Sequence, residues 1–207
     1  MTMNRRTTVW LIILIVLLYA LDQASKWYIV THFNLPVGVI DSVEAFKSGA
    51  VGLNIIRIHN TGVAFGLGNG TVWAPFVFLG VQVVALVGLV FLYARGFFST
   101  RLLKLAWVCV MAGVLGNMTD RLLQGFFLPG VEGLSFFEKM RMGYVVDFID
   151  VYFPWLQIQG FTQGYHWPAF NVADSCVCIA AGLFIISAYL FPDQQKTKAE
   201  AKPDSAS

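Results

Sequence analysis

The sequence predicts a membrane all-α protein: four transmembrane helices carrying a small extracytoplasmic sheet and surface loop elements. Three observations predict it. The 207-residue chain is 57% hydrophobic and only 13% charged, with a mean hydropathy of +0.67, which is not the composition of a water-soluble domain. Four apolar runs, at residues 9–30, 72–94, 102–122 and 172–191, each match the ~20 residues needed to cross a hydrocarbon core. Lys and Arg are also unevenly divided between the two sides of those runs.

The first run follows Arg5 and Arg6 like a secretory signal, but Leu18 stands where cleavage after Ala20 would want a small residue, so it reads as a retained span. With the N-terminus in the cytoplasm, Arg5, Arg6, Arg95, Arg101, Lys104, Lys196, Lys198 and Lys202 lie inside. Lys47, Arg57, Lys139 and Arg141 then lie outside. Eight against four places both termini in the cytoplasm. The link at 95–101 is short, whereas 31–71 and 123–171 are long and extracytoplasmic, and long loops in a small protein carry function. In the first of these, the β-branched run Leu53-Asn54-Ile55-Ile56-Arg57-Ile58 predicts a strand, and Asn60-Thr61-Gly62 a turn. From Asp193 onward little can be buried, so residues 1–192 form one integral membrane domain and 193–207 a disordered cytoplasmic tail.

Several functions are excluded by composition. A net charge of +2 provides no basic field for a nucleic acid. Cys109, Cys176 and Cys178 lie in apolar runs and read as small hydrophobes. His32, His59 and His166 have no HExxH spacing, so no metal is expected, and no serine lies in a GxSxG elbow or an SxxK pair.

A charge inside a span costs at least about 2.5 to 3.5 kcal/mol at the bilayer centre, so each one needs a reason. Asp22 and Lys26 come late in span one, Asn117, Asp120 and Arg121 end span three, and Asn171 and Asp174 open span four. All fall at the outer end, where the long loops deliver Asn60 and Asp147. Asp22 and Lys26, spaced i, i+4, suit an internal ion pair equally well. Arg121 can snorkel to the headgroups beside Asp120, and Asn60 and Gly62 can be plain turn residues. Asp147 and Asp174 are different, because each carboxyl is flanked by apolar residues. Burial raises the pKa of such a group, and two close together share one proton, as in aspartic proteases. Asp150 reads as a surface charge in preference to a third member.

These blocks resemble the lipoprotein signal peptidases, or signal peptidase II, of bacterial inner membranes. The resemblance rests on Asp22-Gln23-Ala24-Ser25-Lys26, Asn60-Thr61-Gly62-Val63-Ala64-Phe65-Gly66, Gly116-Asn117-Met118-Thr119-Asp120-Arg121, Gly143-Tyr144-Val145-Val146-Asp147-Phe148 and Pro168-Ala169-Phe170-Asn171-Val172-Ala173-Asp174. It implies a four-helix aspartyl endopeptidase with a small periplasmic β-cradle and a surface helix, multi-pass in the inner membrane. Such an enzyme removes the signal peptide of a prolipoprotein just before its diacylglyceryl-modified cysteine. Carried over by residue, Asp147 and Asp174 are the catalytic pair, and Asp22, Lys26, Asn60, Gly62, Asn117, Arg121 and Asn171 are pocket positions. Asp120 is structural or supporting. No cofactor or metal is required; the expected partners are prolipoproteins and membrane lipids, and the expected state is a monomer.

The chain departs from that pattern at residues 123–142, which separate Arg121 from the Asp147 block. Gly125, Gly130, Gly133 and Pro129 predict a mobile loop whose Phe126-Phe127 and Phe136-Phe137 pairs dip into the headgroups, placed to act as a lid. The alternative function is a small proton-coupled transporter or lipid translocator using Asp22, Asp174 and Arg121. That function wants charges at several depths, yet span two carries only Gln82.

Overall fold

The computed structural model describes residues 5–36, 40–62, 73–157 and 164–191. In chain order they form α1 (Arg5–His32), β1 (Ser42–Lys47), β2 (Gly52–Asn60), α2 (Ala74–Ala94), α3 (Arg101–Leu123), a 3-10 turn (Gln124–Phe127), α4 (Phe136–Arg141), β3 (Val145–Phe153), β4 (Tyr165–His166) and α5 (Val172–Leu190). Helices α1, α2, α3 and α5 are long and apolar enough to cross a membrane. Their outer faces are oily, with Val84 72% and Tyr189 84% exposed. That pattern suits lipid as the solvent, and the chain is a multi-pass membrane protein. Helix α1 starts at Arg5, earlier than the apolar run suggests. The tail from Asp193, expected to be disordered, lies outside the described residues, as do Val63, Ala64, Phe65 and Gly66 of the first-loop block.

Helix α3 is the central element, packing on α1, α2 and α5. Lipid tails give helices no hydrophobic reason to associate, so close approach depends on small residues. Gly113 and Gly116 on α3 lie directly against buried Ala173 on α5, where a Cβ at Gly113 would come within 2.5 Å of the Ala173 carbonyl oxygen. At Gly116 a Cβ would lie 2.5 Å from Asp22 Oδ2, so only glycine lets the α1 carboxylate reach this level. At the other end of the bundle, Leu11, Ile15, Leu103, Trp107 and Val108 form an apolar core, with Trp107 stacked on Tyr93 at 4.0 Å.

The four strands form an antiparallel sheet in the order β1-β2-β3-β4. Between Ile55 and Ile58 strand β2 carries one more residue than β3 opposite, a bulge that buries consecutive Ile56 and Arg57. Arg57 Nη1 thereby reaches Val30 O (3.0 Å) and Phe33 O (2.9 Å), two carbonyls left free where α1 ends. Its Nε donates to His59 Nε2 at 3.1 Å, and burial followed by the Arg57 charge holds that imidazole down to about 4, so it stays neutral. Arg57, read from sequence as one more outer basic residue, is therefore the bolt between α1 and the sheet.

Residues 124–142 are not the open loop that their glycines suggest. The 3-10 turn continues directly from α3, and α4 is closed by a capping box in which Ser135 Oγ accepts from Glu138 N and Glu138 Oε2 accepts from Ser135 N. Gly143 then returns the chain against the end of α3, where a Cβ would overlap the carbonyl oxygen of Arg121. Phe127, Phe136 and Phe137 remain exposed, as expected of an interfacial segment. Gly143→Ala should cost about 1–3 kcal/mol in thermal or denaturant unfolding. Gly133→Ala, where a Cβ meets open space, should change stability by less than about 0.5 kcal/mol. Equal effects at the two positions would show that the return against α3 does not constrain the fold.

Candidate active site

The site begins with a lysine. Lys26 on α1 is 1% exposed, and its ammonium meets Asp22 Oδ2, Asp120 Oδ2 and Asn117 Oδ1, each at 2.9 Å. Three donors face three acceptors, which is what makes a charge tolerable at this depth. Asp22, one turn earlier, uses its other oxygen to accept Ala173 N at 2.8 Å, a free amide in the first turn of α5. Asp120 accepts Val146 N at 3.1 Å, tying α3 to β3. Gln23 Nε2 braces both carboxylates, at 3.0 Å from Asp22 and 3.2 Å from Asp120.

From Lys26 the network passes through amides to two further carboxyls. Asn117 Nδ2 donates to Asp174 Oδ1 at 2.8 Å. Asn171 caps α5: its Oδ1 accepts Asp174 N (2.9 Å), while Asp174 Oδ2 accepts Asn171 N (3.2 Å). The same side chain turns its Nδ2 to Asp147 Oδ1 at 2.7 Å, so one amide sets the relation between Asp147 on β3 and Asp174 on α5. This register is held because Phe170 pairs with Ile149, leading the chain into α5 along β3. Asn60 at the end of β2 completes the cluster, donating to Asp147 Oδ2 at 2.9 Å and accepting Gly62 N at 3.1 Å. Arg121 Nη2 donates to Gly62 O, and its guanidinium lies over Phe78 at 5.1 Å.

A cavity of about 220 Å³ opens onto this cluster, lined by Asn60, Gly62, Asn117, Arg121 and Asp174, together with Phe78, Val81, Gln82 and Val145. Asp22, Lys26 and Asn171, read from sequence as pocket positions, do not line it; they stand behind its wall and fix the groups that do. Asp120 is placed with them. Asp147, 2% exposed, sits one hydrogen bond behind Asn60. Its carboxyl is pushed up to about 7, first by burial and then by the negative charge of Asp174.

Asp150 is neither a third member of this cluster nor a surface charge. An odd separation in a strand puts it on the opposite face of β3 from Asp147. There it is buried, accepting Asn54 Nδ2 at 2.9 Å and paired with His166 Nδ1 at 2.8 Å. Sequence reading also left Gln23 and Gln82 without a role; an amide inside an apolar run was the signal available for both.

Four apolar spans with buried carboxyls, amides and cations gathered at one end, beneath a sheet, define a polytopic membrane enzyme. Two solved structures share this fold, both described as bacterial membrane enzymes obtained by the in meso method. The one at 2.3 Å resolution has a TM-score of 0.62 and 25% identity, covering 95% of this chain and 93% of that one. The one at 1.9 Å has a TM-score of 0.60 and 28% identity, covering 88% and 93%. The family described as signal peptidase (SPase) II matches residues 14–190, and the chain belongs to that family. Relatives named lipoprotein signal peptidase include that of Acinetobacter baylyi, 31% identical over 91% of this chain and 87% of that protein. That of Alteromonas mediterranea is 32% identical over 92% and 87%. The protein is thus a membrane peptidase.

Lys26→Met should destabilise the bundle by about 3–5 kcal/mol, because it leaves two buried carboxylates without their cation. Adding Asp120→Asn should recover part of that loss. Unfolding in detergent checks both, and an additive double variant would disprove the shared ammonium as the organising contact.

Proposed function

We propose that this protein cleaves the signal peptide from diacylglyceryl-modified prolipoproteins, immediately before the lipid-bearing cysteine, with Asp147 and Asp174 as an aspartic catalytic pair. The observation that carries the reading is Asn171 bridging two carboxyls from different elements at the edge of a cavity. A carboxyl that titrates near 7 can hold the proton the pair shares at neutral pH. Asp174, which lines the cavity, takes a proton from water as the water oxygen attacks the scissile carbonyl. Asp147, protonated, donates a hydrogen bond to the carbonyl oxygen and keeps its own proton throughout. The proton acquired by Asp174 then passes to the leaving amine as the C–N bond breaks, which returns the pair to its starting state. The substrate's acyl chains stay in lipid and contribute remote binding energy. The basic residues at the end of the bundle far from the sheet support cytoplasmic termini and an inner-membrane location. Transport has no comparable support, since the relatives above carry a peptidase name.

Asp147→Asn and Asp174→Asn should each lower signal-peptide release from a diacylated prolipoprotein by at least ~100-fold, while the protein still accumulates in membranes. Robust turnover by either variant would remove the aspartic mechanism. Release by the parent should fall as pH rises through about 7, where Asp147 loses its proton. Because the carboxyl is raised from 3.8 in the fold, the stability it contributes is present below 3.8 and lost as pH rises through about 7. The melting temperature should therefore drop between pH 5 and 8 in the parent and less so in Asp147→Asn.

Orientation is tested by fusions. A reporter after Phe191 should be active only in the cytoplasm, and one between Gly125 and Gly133 only outside it. Reversed activities would overturn the assignment.

A further inference from the structure

Among the described residues, two buried side-chain polar atoms have no hydrogen-bond partner: Gln82 Oε1 and Arg121 Nη1. Both residues line the same cavity, the one onto which Asp174 opens. Burying a polar atom without a partner is unfavourable, and two such atoms on residues that line one space mark a place where a ligand supplies what is missing. Gln82 is otherwise hard to account for. Helix α2 is apolar along its length apart from this amide and Tyr93 near its end, and an amide among lipid tails is costly. Its place is with Phe78, one turn away on the same face, whose ring carries the Arg121 guanidinium.

An acceptor on α2 and a donor on α3 are the complement of an extended peptide, which presents N–H and C=O groups side by side. A signal peptide crosses hydrocarbon as a helix, with those groups satisfied internally. To offer a peptide bond for cleavage it must unwind, and the freed groups need partners within the protein. Gln82 lies eight residues past Ala74, about 12 Å down the helix from its sheet-side start. It is thereby set within the apolar length of α2, on the wall of the cavity that Asp174 also lines.

We infer that Gln82 binds the main chain of the signal-peptide segment just upstream of the scissile bond, its side-chain amide accepting a substrate N–H, so that the site selects substrates able to unwind there. This rests on the peptidase reading above.

The test uses the full-length protein in micelles and synthetic diacylated prolipopeptides. In these, one backbone amide at a time upstream of the scissile bond is replaced by an ester, which removes its N–H. For the parent, one such ester should lower kcat/KM by ~10-fold, mainly through KM. Gln82→Leu should cleave the all-amide peptide with a similar ~10-fold deficit and show no further loss with that ester. Leucine suits a lipid-facing helix, so an unchanged melting temperature is expected beside the kinetics. If Gln82→Leu matches the parent, or if its deficit multiplies with that of every ester, the inference is overturned while the peptidase reading stands. Failure of the parent to cleave the all-amide peptide overturns both.

Discussion

A lysine ammonium with no water around it is the constraint on which the rest of this structure depends. Lys26 has three N–H groups and, at this depth, must place all of them on the protein. It does so on Asp22, Asp120 and Asn117, which commits α1 to α3 at one height and one rotation. Each partner then reaches onward: Asp22 to the first turn of α5, Asp120 to β3 and Asn117 to Asp174. Four elements are thus joined through a single cation. In lipid, where apolar contact does not by itself favour one helix partner over another, such polar contacts specify the arrangement.

For the proposed chemistry the consequence is a division of labour between groups that hold and groups that react. Asp22 and Asp120 are committed to Lys26 and to backbone amides, which holds them in place. Asp147 and Asp174 are bound mainly by neutral amides, from Asn60, Asn117 and Asn171. Neutral donors orient a carboxyl without pinning it to the ionised state as a direct cation would, so burial and the negative charge of Asp174 still carry Asp147 up to about 7. Arg121 is directed to Gly62 O and the Phe78 ring instead.

How much of this was readable in the chain depends on how local each signal is. The spans are written in twenty-residue runs, and the i, i+4 spacing of Asp22 and Lys26 gives their ion pair directly. Convergence of the polar blocks follows from counting spans. What could not be read is anything that depends on sheet register. Arg57 turns inward only because of a bulge, and Asp150 finds Asn54 and His166 only across paired strands. For the same reason the residues lining the cavity could not be separated from those behind it, such as Lys26 and Asn171. Helix α4 is a different case: Ser135 and Glu138 spell its capping box, but the flanking Gly125, Pro129, Gly130 and Gly133 outweighed that short signal.

The sheet has a reason to exist beyond decorating the bundle. A helix can carry a carboxyl only along its own length, and α5 presents Asp174 in its first turn, at the boundary of the apolar zone. In the proposed pair the second carboxyl comes from outside the bundle on a rigid element, which fixes its position more closely than a loop would. Strand β3 does this, anchored to α3 through Asp120, to α5 through Phe170 and Asn171, and to β2 along its length. One carboxyl then belongs to the helical bundle and the other to the sheet resting on it. A pair divided in this way fits a substrate whose cleaved bond joins a hydrophobic segment to the chain that follows it.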